Sequence, residues 1–125
     1  MEYVKSYSEL EVYKLSRELS RNIFKLSTTF PKEEMFSLTD QIRRSSRSVG
    51  SQLAEAWAKR KYPKHFISKL TDADGEQMES QHWIETALDC SYITKELATE
   101  LLHKYALIGK MINSMMNKSD KFCGS

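Results

Sequence analysis

The stretch SELEVYKLSRELSRNIFKLSTTF, residues 8–30, decides the fold. Val12, Leu15, Leu19, Ile23, Leu26 and Phe30 recur at alternating spacings of three and four. At about 100° per residue they fall on one stripe of a helix, the pattern of a helix packed against other helices. Ser8 and Glu11 have the spacing of a capping box, in which the serine caps the first turn and the glutamate reaches back.

The same pattern repeats three times downstream. Pro31 opens a second helix, because it lacks the donor that a first-turn residue leaves unpaired, and Glu33 and Glu34 suit the positive end of the helix dipole. Its inner stripe is Met35, Leu38, Ile42, Ser45, Val49, Leu53 and Ala56, running to about Lys61. Pro63 opens a third helix with Phe66, Leu70, Ala73, Gln77, Gln81, Ile84 and Leu88 inward. Gly75 in its middle costs about 1 kcal/mol against alanine, and either serves a close helix approach or stands as a simple tolerated defect. Ser91-Tyr92-Ile93 is a break, Thr94 caps a fourth helix, and Leu97, Leu101, Tyr105, Ile108, Ile112 and Met115 complete the core. Short breaks between long amphipathic helices make neighbours antiparallel. The expected fold is all-α: an up-down-up-down four-helix bundle over residues 1–118, with a frayed tail at 119–125. Three helices, one of them a long fusion, are the competing arrangement.

Composition agrees. The 125 residues are 40% hydrophobic and 29% charged, enough for one core, and four glycines with two prolines give too few turns for a β-sandwich or barrel. The net charge of +2 demands no nucleic-acid or membrane partner by itself. Charge is nevertheless uneven, +3 over residues 32–61 and −4 over residues 62–91. No run approaches the roughly 20 apolar residues of a membrane span. The first residues lack the basic-then-apolar pattern of a secretory signal, and Cys90 and Cys123 lack metal-like spacing. A cytoplasmic protein with reduced thiols is the expectation.

Several apolar residues lie off the inner stripes: Leu10, Tyr13 and Phe24 on the first helix, Trp83 on the third, and Ala98, Leu102, Gly109 and Met116 on the fourth. They either widen the core of one bundle or form a surface for self-association. On the second helix Gln41, Arg44, Ser48, Gln52, Glu55 and Lys59 form a polar flank that either sets register across helices or faces solvent.

No residue pattern points to catalysis. Glu79…His82 and Glu100…His103 have the Glu-x-x-His spacing of carboxylate-bridged di-metal bundles, with Glu18 and Glu55 as further candidates. The histidines, however, project well away from their inner stripes. Cys90 lies near a helix C-terminus, where a thiol pKa rises. No phosphate loop, nucleophile elbow or zinc spacing is present, and no cofactor is expected. The stronger lead is basic. Arg43, Arg44 and Arg47 sit together on the second helix, and Lys59, Arg60, Lys61 and Lys64 crowd the next turn beside Trp57 and Tyr62. Such clusters contact phosphates, and the rings could stack on bases. Equally, they could be solvated or interface charges.

Phe30-Pro31-Lys32-Glu33-Glu34, then Leu38-Thr39-Asp40-Gln41-Ile42-Arg43-Arg44-Ser45, resembles the signature of bacterial four-helix bundle proteins encoded in intervening sequences of the 23S ribosomal RNA gene. Leu10-Glu11-Val12-Tyr13, Ser48-Val49-Gly50-Ser51-Gln52-Leu53-Ala54-Glu55 and Ala73-Asp74-Gly75-Glu76 fit the same pattern, so the resemblance spans roughly residues 8–116. Gln52, Ala56 and Trp57 depart from it, standing where the family usually has Asn, Gly and a smaller residue. The resemblance implies a homopentameric ring. It also implies, through related retroelement accessory proteins, association with a protein partner and with nucleic acid through a basic surface. Arg43, Arg44, Arg47, Lys59, Arg60 and Lys61 are the positions it points to. A protein–protein adaptor without a nucleic-acid role is the other functional expectation.

Overall fold

The computed structural model describes residues 4–123; residues 1–3 and 124–125 lie outside the described residues. Four long helices, α1 (Glu11–Ser27), α2 (Asp40–Ala58), α3 (Pro63–Asp89) and α4 (Lys95–Asn117), are followed by a short α5 (Ser119–Cys123), and there is no strand among the described residues. Cross-helix contacts fix the directions. As the α2 partner advances from Ser45 to Glu55, its α3 partner retreats from Ser80 to Lys69. On α3 and α4, Thr71 meets Met116 while Gln77 lies against Gly109. On α1 and α2, Tyr13 lies against Gly50 and Ser27 receives Arg43. Sequential neighbours are therefore antiparallel, and α4 closes against α1, where Lys104 pairs with Glu18. This is an up-down-up-down bundle of four separate helices.

The start of α1 differs from the expected cap. Ser8 and Glu11 form no box; Ser6 and Glu9 do the work two residues earlier. The Ser6 hydroxyl accepts from the Ser8 N–H at 3.3 Å, and Glu9 accepts from the Lys5 N–H at 2.8 Å. They cap a 3-10 turn (Tyr7–Glu9) that tucks Leu10 into the core before the α-helix begins.

The start of the second helical segment also departs from expectation. After Pro31 come a 3-10 turn (Lys32–Glu34) and a π turn (Met35–Thr39) before α2. The wider π turn shifts the phase by part of a turn. Leu38 and Thr39 become buried, whereas Met35, expected inside, is exposed beside Phe36, which is 81% exposed.

Within α3 the interior runs Phe66, Leu70, Ala73, Gln77, Ser80, Ile84 and Ala87. The buried positions keep a strict seven-residue repeat, 66, 73, 80, 87 and 70, 77, 84, so Ser80 and Ala87 are inside and the expected Gln81 and Leu88 stand one residue off that repeat. Gly75 is exposed, with nothing within 4 Å of an added Cβ, so it makes no close approach. Gly109 on α4 does, since a Cβ there would lie 2.8 Å from Gln77 Nε2.

Thr94 caps α4 as expected, accepting from the Leu97 N–H at 3.1 Å. The preceding corner is a Schellman turn. Ser91 sits at φ 61°, its N–H reaches the Leu88 carbonyl, and the Tyr92 N–H reaches that of Ala87, each at 2.9 Å. In the expected tail, residues 119–123 form α5, and Phe122 stacks on Phe66 with ring centroids 5.8 Å apart.

Candidate nucleic-acid interface

The three clustered arginines of α2 go to two different places. Adjacent helix residues point about 100° apart, so consecutive residues serve different neighbours. Arg44 turns toward α3. Its Nη1 lies 3.1 Å from Glu76, and its Nη2 donates to Glu79, which also accepts from Trp83 Nε1 at 3.1 Å. Donating hydrogen bonds to Glu76 and Glu79 holds the Arg44 guanidinium more firmly protonated than usual. Burial pushes the Glu79 carboxyl up, but the hydrogen bonds from Trp83 and Arg44 outweigh it and leave Glu79 below the ordinary carboxylate value. With Glu55 paired to Lys69 at 3.8 Å, this polar flank of α2 sets register against α3, and the charge of Arg44 is already neutralised.

Arg43 and Arg47 turn toward α1, where they meet an aromatic ring and a hydroxyl instead of carboxylates. Arg43 Nε donates to Ser27 Oγ at 2.8 Å, and its guanidinium lies 4.7 Å from the centre of the Phe24 ring. Arg47 lies 5.7 Å from the same ring. Each is a cation–π contact that leaves the outward N–H groups free.

Beside this pair a groove of about 680 Å³ runs between α1 and α2. Its floor is made by small residues: Ser20 from α1, and Gly50, Ser51 and Ala54 from α2. Tyr7, Tyr13 and Phe24 form its apolar wall. Arg17, Arg21, Lys25 and Arg47 are its charged residues, and no carboxylate lines it. Arg17 is held by the Tyr13 hydroxyl, which accepts from Nη1 at 3.0 Å. A second hollow, sharing Arg47 and Ser51, continues past Ser48, Arg43 and Arg44 to Asp40.

Sequence reasoning missed Arg17, Arg21 and Lys25. Their spacing of four residues puts them on one face of α1, about 6 Å apart along the axis, and that signal was available. The other predicted cluster lies elsewhere. Lys59 follows Arg43 by 16 residues, about 24 Å along a helix. There Lys59, Lys61 and Lys64 are exposed. Arg60 folds back, its guanidinium 3.6 Å from the Trp57 ring centre and its Nε donating to the Trp57 carbonyl at 2.8 Å. The two clusters are separate sites on one chain.

The expected self-association positions need correction. Leu10, Ala98 and Gly109 are buried inside the protomer and cannot meet a second copy. Tyr13, Trp83, Leu102 and Met116 are partly buried against their own core. Phe24 alone of the eight is well exposed, at 46%, with Arg43 and Arg47 over it. These seven widen a single core. Other large apolar side chains are exposed at Phe36, Met78 and Leu107. His82 and His103 are exposed, and no group of three His, Cys, Asp or Glu residues among those described could hold a metal. No helix among the described residues is long and apolar enough to cross a membrane.

Comparison with known proteins places this geometry. No curated protein matches the chain. A solved structure described as a protein of unknown function from the S23 ribosomal protein family of Bacteroides thetaiotaomicron superposes with a TM-score of 0.76. It is 29% identical, and the match covers 85% of this chain and 95% of that one. The sequence model described as 23S rRNA-intervening sequence protein matches residues 8–114, so the chain belongs to the 23S rRNA-intervening sequence protein family.

Proposed function

We propose that this bundle is a non-catalytic, cytoplasmic, oligomeric protein that associates with structured RNA through the face shared by α1 and α2. One observation carries the reading: a groove lined by three arginines, a lysine and three aromatic rings, with no carboxylate among its lining residues. Cations without acid partners keep their full attraction for phosphates, and their release of counterions makes binding steep in salt. Assembly as a homopentameric ring would repeat the groove and raise avidity. The exposed Phe36, Met78 and Leu107 supply apolar surface for such an assembly. Light scattering is expected to give the mass of a pentamer; a single-chain mass removes the ring.

Titration of a labelled RNA stem-loop tests the main claim. Replacing Arg17, Arg21, Arg43 and Arg47 with alanine is expected to weaken binding at least about tenfold and to flatten its salt dependence. Unchanged affinity in that variant overturns the reading. The exposed Met35 and Phe36 favour a second reading, an adaptor for a protein partner. A partner that stays bound after nuclease and is lost on Phe36→Ser would favour it.

A further inference from the structure

The geometry points to an unpaired segment of nucleic acid as the ligand of the α1–α2 groove, with phosphates on the arginines and at least one base stacked in the aromatic wall. This deepens the RNA reading and rests on it. Cations alone attract any polyanion, but the groove is equally a stacking site. Phe24 keeps 46% of its surface open, in a wall completed by Tyr7 and Tyr13, whose rings meet edge to face at 4.9 Å. A ring can accept a base only if that base is not already stacked in a duplex. Loops, bulges and ends supply such bases.

The cations fit the same ligand. Arg17, Arg21 and Lys25 repeat at one helical turn on α1, and Arg43 and Arg47 do so on α2, so each row steps by about 6 Å. That is comparable to the step between successive phosphates of an extended single strand. The small floor of Gly50, Ser51 and Ala54 leaves room for a sugar and base between the rows. Gly50 packs closely on α1 here, where an added Cβ would lie in ordinary contact, 3.4 Å from Ser16 Oγ and 3.5 Å from the Tyr13 ring. An acidic polypeptide would satisfy the arginines but leave the aromatic wall unused.

Fluorescence anisotropy with a labelled single-stranded oligoadenylate and a blunt RNA duplex of equal length tests this. The wild type is expected to bind the single strand at least about tenfold more tightly than the duplex, the effect of stacking even one base. Phe24→Leu, which keeps the bulk but loses the π face, is expected to lose about fivefold or more on the single strand and nothing on the duplex. Ser51→Glu, at an exposed position shared by the two hollows, is expected to weaken both ligands with an unchanged melting temperature. Equal or tighter duplex binding, or a single-strand affinity indifferent to Phe24→Leu, overturns the unpaired-base assignment while leaving RNA binding intact. Displacement of the oligonucleotide by polyglutamate at matched charge reassigns the groove to an acidic polypeptide. Failure of both RNAs to bind removes the underlying reading as well.

Discussion

The two sides of α2 are built on opposite principles. Toward α3, the charged groups Arg44 and Glu55 have partners, while Gln52 Oε1 is buried without one. Arg44 is shared between Glu76 and Glu79, Glu79 also holds the Trp83 indole, and the Ser80 hydroxyl donates to Ser45 Oγ at 2.9 Å inside the core. Toward α1, Arg43 and Arg47 meet Phe24 and Ser27, and the groove beyond them gathers more cations without an acid. One side uses its charge to hold helices in register; on the other, no carboxylate lines the groove that the cations border. A cluster of like charges is informative only when the residues facing it are known.

The contrast can be broken by moving one feature at a time. The largest effect is expected on binding: the fourfold arginine variant of the α1–α2 face should lose at least about tenfold in RNA affinity while its melting temperature stays put. Next is close packing between α3 and α4. Gly109→Ala must push Gln77 out of its hydrogen bonds to Asp74 and Gln81, at 2.9 and 2.7 Å, and should cost about 1–2 kcal/mol in urea unfolding. Gly75→Ala meets open space and should instead stabilise by about 1 kcal/mol. The same sign for both would mean that helix approach plays no part.

Arg44→Ala should cost no more than about 1 kcal/mol, because half of its side chain is in water, and should leave RNA affinity unchanged. The smallest effect is with pH. Glu79 is held below its ordinary value of 4.5, so its contribution is present above that pH and is lost as pH falls through the lower folded value. Acid titration of stability below about pH 4.5 should therefore be shallower in Arg44→Ala than in the wild type. Identical profiles would separate Glu79 from Arg44.

How legible was this in the sequence? The four amphipathic helices, the Pro63 start and the Thr94 cap follow from periodicity and capping chemistry, which are local, and the structure reproduces them, though not every stripe position. What failed was long-range or cumulative. Nothing local reveals the π turn at residues 35–39, so Met35 was placed inside when it is exposed. The buried face of α3 keeps a seven-residue repeat that the expected stripe left by one residue at Gln81 and Leu88, where Ser80 and Ala87 are the buried neighbours. Gly75 drew attention because glycine is costly in a helix, yet the glycine that matters is Gly109, and only the position of Gln77 on another helix shows it. Arg43, Arg44 and Arg47 looked like one cluster because they are neighbours in the chain. In the structure Arg47 lines the α1–α2 groove with Arg17, Arg21 and Lys25, Arg43 lines only the neighbouring hollow beside Arg44 and Asp40, and Arg44 is paired with Glu76 and Glu79. Leu10, Ala98 and Gly109 looked like surplus apolar surface because a single stripe underestimates how wide a four-helix core is.

The slope of log affinity against log salt for a single-stranded RNA, compared between Arg47→Ala and Arg44→Ala, tests the contrast most directly. Removing Arg47 should reduce the slope by about 0.7, one phosphate contact, and removing Arg44 should leave it unchanged. Equal reductions would show that the carboxylates of α3 do not silence Arg44. No reduction in either would show that the α1–α2 face does not hold the phosphates.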